Sequence, residues 1–109
     1  MNTIPRDTVV LEFAQRVRSV LGKKLHAIYL FGSRARGDAA PDSDYDFMLE
    51  SDAKLSAYDR DRVADITVDI SGRNRVLLDV HYDLCSKMHG ENRFLTPFRS
   101  EVLSKGMPL

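Results

Sequence analysis

Leu25 to Phe31 is an apolar run of seven residues in which only His26 is clearly polar, and Gly32-Ser33 closes it. So short and continuous a run suits a strand buried on both faces, and such a strand needs helices packed on its sheet. One helix precedes it. Val10, Phe13, Ala14, Val17, Val20 and Leu21 recur at helical spacing over about Pro5 to Leu21, with Pro5 suited to a first turn and Gly22 to a stop. The polar stretch Ser33 to Ser43, with Gly37 and Pro41, connects to a second strand at Tyr45-Asp46-Phe47-Met48-Leu49. Residues 54 to 71 read two ways: Leu55, Val63, Ile66 and Ile70 suit a helix, whereas Ile66, Val68 and Ile70 alternate like a strand. Length favours a crossover helix, ended by a turn at Gly72-Arg73-Asn74. Val76 to Tyr82 then reads as a third strand. A polar loop around Gly90 and a closing helix over about Thr96 to Lys105, halted by Gly106 and Pro108, complete the chain. This alternation predicts an α/β (α+β) fold with a small mixed sheet flanked by helices, and residues 1–109 as a single domain.

Sixteen Lys and Arg balance sixteen Asp and Glu, so the chain lacks the broad positive field that duplex DNA or an anionic membrane would require. Any nucleic-acid role would be local, with no extended surface for it. The single cysteine, Cys85, can form no internal disulfide and belongs to no metal-binding Cys pattern, which fits a reducing compartment. The first residues lack a basic-then-apolar signal, and no apolar run approaches the roughly 20 residues that span a bilayer. A cytoplasmic location is therefore expected. A chain of this size buries only about 60 to 70% of its unfolded surface, so a partner protein or a homo-oligomer contact would add needed stability.

Asp44 and Asp46 lie two apart at the start of the second strand, and residues i and i+2 of a strand project from one face. Two carboxylates held together repel unless a proton or cation intervenes, which points to Mg²⁺. Asp-x-Asp alone is weak, since it also occurs at 42/44 and 59/61. Its position after Gly32-Ser33 is more specific: glycine lets backbone approach a phosphate, serine adds a hydroxyl and an N–H, and a following helical turn directs positive charge at an anion. The spacing is not that of a Walker P-loop. A third carboxylate, Asp79, sits between Leu78 and Val80 and would complete a two-metal site for phosphoryl transfer. Buried there, it needs a partner: a metal ion, backbone donors, or an arginine such as Arg75 or Arg93. Asp83 is the substitute. His81 shares the strand with Asp79 and reads more readily as a satisfied sheet histidine than as a catalytic one. Cys85 and the methionines carry no assigned role, and Phe13, Tyr29, Phe31 and Phe47 are assigned to the core.

Gly32-Ser33-Arg34-Ala35-Arg36-Gly37 followed by Ser43-Asp44-Tyr45-Asp46-Phe47 resembles the signature of the DNA polymerase β-like nucleotidyltransferase superfamily, particularly its minimal nucleotidyltransferases. The preceding helix and strand, the Asp79 strand and the closing segment Phe98 to Gly106 also resemble that plan. The resemblance implies transfer of a nucleoside monophosphate, AMP from ATP, to an acceptor hydroxyl with release of pyrophosphate. By position it implies that Asp44 and Asp46 bind two Mg²⁺ ions, that Asp79 joins them as the third catalytic and metal-binding carboxylate, and that Gly32 and Ser33 hold the triphosphate. Arg34 and Arg36 either touch phosphates as well or brace the loop. The same resemblance implies a HEPN-type helical partner whose tyrosine receives AMP, in the manner of a HEPN/MNT toxin–antitoxin pair. The alternative is a binding module on this fold that neutralises a partner by occlusion, without turnover.

Overall fold

The computed structural model describes residues 7–37, 40, 43–85, 101–102 and 105–109. Helix α1 (Thr8–Leu21) starts at Asp7, whose carboxylate accepts a 2.9 Å hydrogen bond from the Val9 N–H, and ends at Gly22, whose positive φ of 54° reverses the chain. Pro5 lies outside the described residues. A single 3₁₀ turn, Gly22–Lys24, leads into β1 (Leu25–Phe31), the span its apolar run predicts. A four-residue helix α2 (Ser33–Arg36) follows, then β2 (Tyr45–Ser51), α3 (Ala57–Asn74) and β3 (Leu78–Leu84). Strand β2 runs antiparallel to β1 and parallel to β3, so α3 is the crossover that parallel pairing requires.

Several expectations need correction. Helix α1 begins at Thr8, three residues after its expected start at about Pro5. The turn expected at Gly72-Arg73-Asn74 is the last turn of α3: the helix runs through Gly72 and stops at Arg75, a non-glycine residue at φ 54°. Ser56, which accepts from the Asp59 N–H, opens that helix a little after the expected start. The third strand lies two residues later than expected, a shift that preserves which side chains face which way. A fourth strand, β4 (Met107–Pro108), pairs with β1 where the sequence suggests only a helix stop, giving the order β3-β2-β1-β4. Of the closing helix, Glu101, Val102 and Lys105 are helical, and its other residues, Arg93 and the loop around Gly90 lie outside the described residues.

Helices α1 and α3 pack side by side on one face of the sheet. Their buried stripes, Val10, Phe13 and Val17 with Val63, Ile66 and Ile70, meet Ile28, Leu30, Phe47 and Leu49 from the strands. Phe13 stacks on Phe47 with ring centroids 4.1 Å apart. The opposite face carries a smaller cluster, Phe31, Met48 and Val102 with Tyr29 against it, and β3 is an edge strand of the sheet among the described residues. No helix among the described residues is long and apolar enough to cross a membrane.

Candidate active site

Strand pairing builds the site. Antiparallel pairing sets Phe31 opposite Asp46, and parallel pairing sets Asp46 level with Asp79. Because side chains alternate, Asp46 and Asp79 emerge together on the face opposite the two long helices, with His81 two residues further along β3. Asp44, exposed, precedes β2 by one residue. Asp46, Asp79 and His81 each bring a ligand atom within 4.8 Å of the others'. The His81 Nε2 lies 3.2 Å from the Asp79 carboxylate.

Asp79 was expected to be buried, and it is exposed: its side chain keeps 57% of its surface, β3 being a sheet edge and neither α1 nor α3 lying on this face. Among the described residues its side-chain neighbour is His81 rather than Arg75. Asp83, the substitute candidate, pairs in register with Glu50 about 13 Å along the strand and accepts the Leu84 N–H. Asp79 is therefore the carboxylate level with Asp46.

The electrostatics match that geometry. Burial pushes the Asp46 carboxyl above its ordinary range, the charge of Asp79 pushes it the same way, and Asp44 and Glu101 add to this while His81 opposes. Such a cluster favours whatever brings positive charge between its members, and two carboxylates suit a hard divalent cation. Gly32 shows how tightly the loop is fitted to it. Its φ of 75° is one that side chains avoid, and a Cβ there would lie 2.4 Å from an Asp46 carboxylate oxygen. The motif glycine thus makes room for the motif aspartate.

Ser33 and Arg34 open α2, so their N–H groups stand outside its backbone ladder, while those of Ala35 and Arg36 bond to the Gly32 carbonyl. The two arginines differ. Arg34 donates from Nε and Nη2 to the Ser43 carbonyl at 3.2 and 2.9 Å and stacks its guanidinium 4.1 Å from the Tyr45 ring centroid, bracing the connection between β1 and β2. Arg36 reaches Glu101 at 3.5 Å. Sequence reasoning set His81 aside and passed over Glu101. The first was signalled by its two-residue offset from Asp79, and the second had no local signal, since only the fold brings the closing segment to Asp46.

The family model of the nucleotidyltransferase domain matches residues 10–108. A chain of a toxin–antitoxin complex with AMP-PNP superposes with a TM-score of 0.60 at 19% identity, over 88% of this chain and 68% of that one. A chain from the complex of tri-AMPylated Shewanella oneidensis HEPN toxin with its MNT antitoxin gives 0.53 at 17% identity, covering 93% and 71%. At these identities the likeness is one of fold. A protein assigned as a minimal nucleotidyltransferase gives 0.55 at 26% identity, covering 97% of this chain and 100% of its own. No curated protein matches the chain by sequence. The family match takes in the glycine-serine loop, Asp44 and the two strand-borne carboxylates Asp46 and Asp79, and the chain belongs to the nucleotidyltransferase domain family.

Proposed function

We propose that the chain, acting as one cytoplasmic domain, is a Mg²⁺-dependent nucleotidyltransferase that moves AMP from ATP to a hydroxyl, its acceptor a tyrosine of a HEPN-type helical partner. The observation that carries this reading is the meeting of Asp46 with Asp79 across β2 and β3, beside a glycine whose missing side chain leaves space for the Asp46 carboxylate. Asp44 and Asp46 hold two ions and Asp79 joins them on the acceptor side. When bound, Mg²⁺ would supply Lewis-acid activation of the hydroxyl and neutralise charge at the phosphate. Gly32 and Ser33 receive the triphosphate through backbone N–H groups and the serine hydroxyl, and Arg34 keeps their loop in place from behind. Arg36 faces Glu101 at the rim, from where its guanidinium can turn to a phosphate. In the transfer the acceptor oxygen bonds to the α-phosphorus as the bond to the bridging oxygen breaks. Pyrophosphate leaves and the hydroxyl proton passes to water.

The relatives in complexes with AMP-PNP and with an AMPylated HEPN toxin support the choice of nucleotide and partner. The test is intact-protein mass spectrometry of a copurifying helical partner after incubation with the chain, Mg²⁺ and each nucleoside triphosphate. AMP increments on a partner tyrosine, absent with Asp46→Asn, are the expected result. A partner that binds wild type and variant equally and gains no nucleotide from any triphosphate would overturn transfer in favour of occlusion.

A further inference from the structure

At the far end of the same sheet face, three donors of three chemistries converge. The β1–β2 register slips between Leu25 and Ala27, so His26 sits at an irregularity that turns its ring toward β2. Glu50, four residues beyond Asp46, keeps 0% of its surface exposed, and half-buried Cys85 directly follows β3. A ring nitrogen of His26, a carboxylate oxygen of Glu50 and the Cys85 sulfur all lie within 4.8 Å of one another.

The contacts of His26 are those of a ligand. Its Nε2 lies 3.5 Å from Glu50 Oε1, close to the about 3.3 Å that separates two donors bound at about 2.0 Å to a tetrahedral ion. Its Nδ1 faces Asp52 Oδ1, also at 3.5 Å, the outer carboxylate that commonly orients a metal-bound histidine and fixes its tautomer. An ion placed between Nε2 and the Glu50 carboxylate would be held by both, with the Cys85 sulfur within reach of each. Sulfur, imidazole and carboxylate together select a borderline-soft ion over Mg²⁺. We propose that His26, Glu50 and Cys85 form a Zn²⁺ site, separate from the Asp46 cluster, that ties the ends of β1, β2 and β3 together with water as fourth ligand. The half-exposed imidazole leaves a path for the ion. Ligands drawn from two strands and the residue after a third leave no spacing motif in the sequence.

The test titrates the purified chain with Co²⁺ as a spectroscopic stand-in for Zn²⁺. One equivalent should produce a thiolate-to-metal charge-transfer band that Zn²⁺ displaces, that is lost in Cys85→Ser and in His26→Ala, and that survives in Asp46→Asn. Zn²⁺ at a hundred times its dissociation constant should raise the melting temperature by roughly 10 °C. In the wild-type chain, Zn²⁺ should also protect Cys85 from maleimide, a readout that needs no variant to fold. No thiolate band with Cys85 still alkylated at full rate, or a thiolate band undiminished in His26→Ala, would overturn the site. Cobalt d–d absorption without a thiolate band, unchanged in Cys85→Ser and lost in Asp46→Asn, would assign the ion to the carboxylate cluster and equally overturn it. Failure of nucleotide transfer would leave these outcomes unaffected.

Discussion

With its carboxyl pushed up by burial and by Asp79, Asp46 binds a proton more tightly in the folded chain than in the unfolded one. Its contribution to the stability of the metal-free protein is thus fully present below the ordinary value of 3.8 and is lost as pH rises through the higher folded value. In EDTA at neutral pH, urea melts of Asp46→Asn should therefore show a fold at least as stable as wild type, while transfer falls by more than about 100-fold. Activity within threefold of wild type would remove Asp46 from the catalytic set. Gly32→Ala meets both a positive φ and the Asp46 carboxylate, and denaturant midpoints should register a loss of about 1 to 3 kcal/mol along with the activity. Both residues are legible in the sequence because strand periodicity and a glycine's conformational range are local properties. The exposure of Asp79 and the nearness of His81 and Glu101 are not, because they depend on which face the helices cover.

Among the elements, β1 is read to the residue because its apolar run is bounded sharply on both sides, and the existence and end of α1 are read because one stripe of it is uniformly buried, while its start falls three residues after the expected one. The end of α3 is misread because Gly72 carries a turn signal that the surrounding helix overrides. Its Cβ position is open space and its backbone is helical, so Gly72→Ala should stabilise the protein by about 0.5 to 1 kcal/mol in thermal or urea melts. A decrease would mean that the glycine serves a packing role. Strand β4 escapes sequence reading altogether: two residues are too few for a period, and its pairing depends on β1 offering an edge.

For the molecule as a whole, Mg²⁺ with ATP at about a hundred times the dissociation constant should add about 2.7 kcal/mol of stability, roughly 10 to 20 °C in melting temperature, and EDTA should abolish most of it. Ser33→Ala should diminish the shift moderately and Asp44→Asn strongly. An equal shift with and without EDTA would sever the nucleotide from the metal. The mixed sheet and its flanking helices are legible from alternating patterns, and the position of the closing segment is not, since Glu101, Val102 and Met107 meet residues distant in sequence. Parallel pairing across α3 has a kinetic consequence as well. Asp46 and Asp79 are strangers in the denatured ensemble and become neighbours only as β3 docks beside β2, so their repulsion opposes that docking and not the denatured chain. Stopped-flow refolding should then accelerate with Mg²⁺ in the wild type and lose that dependence in Asp46→Asn, whose own metal-free rate should match or exceed the wild type's. The chain would fold fastest in the solution that also arms it.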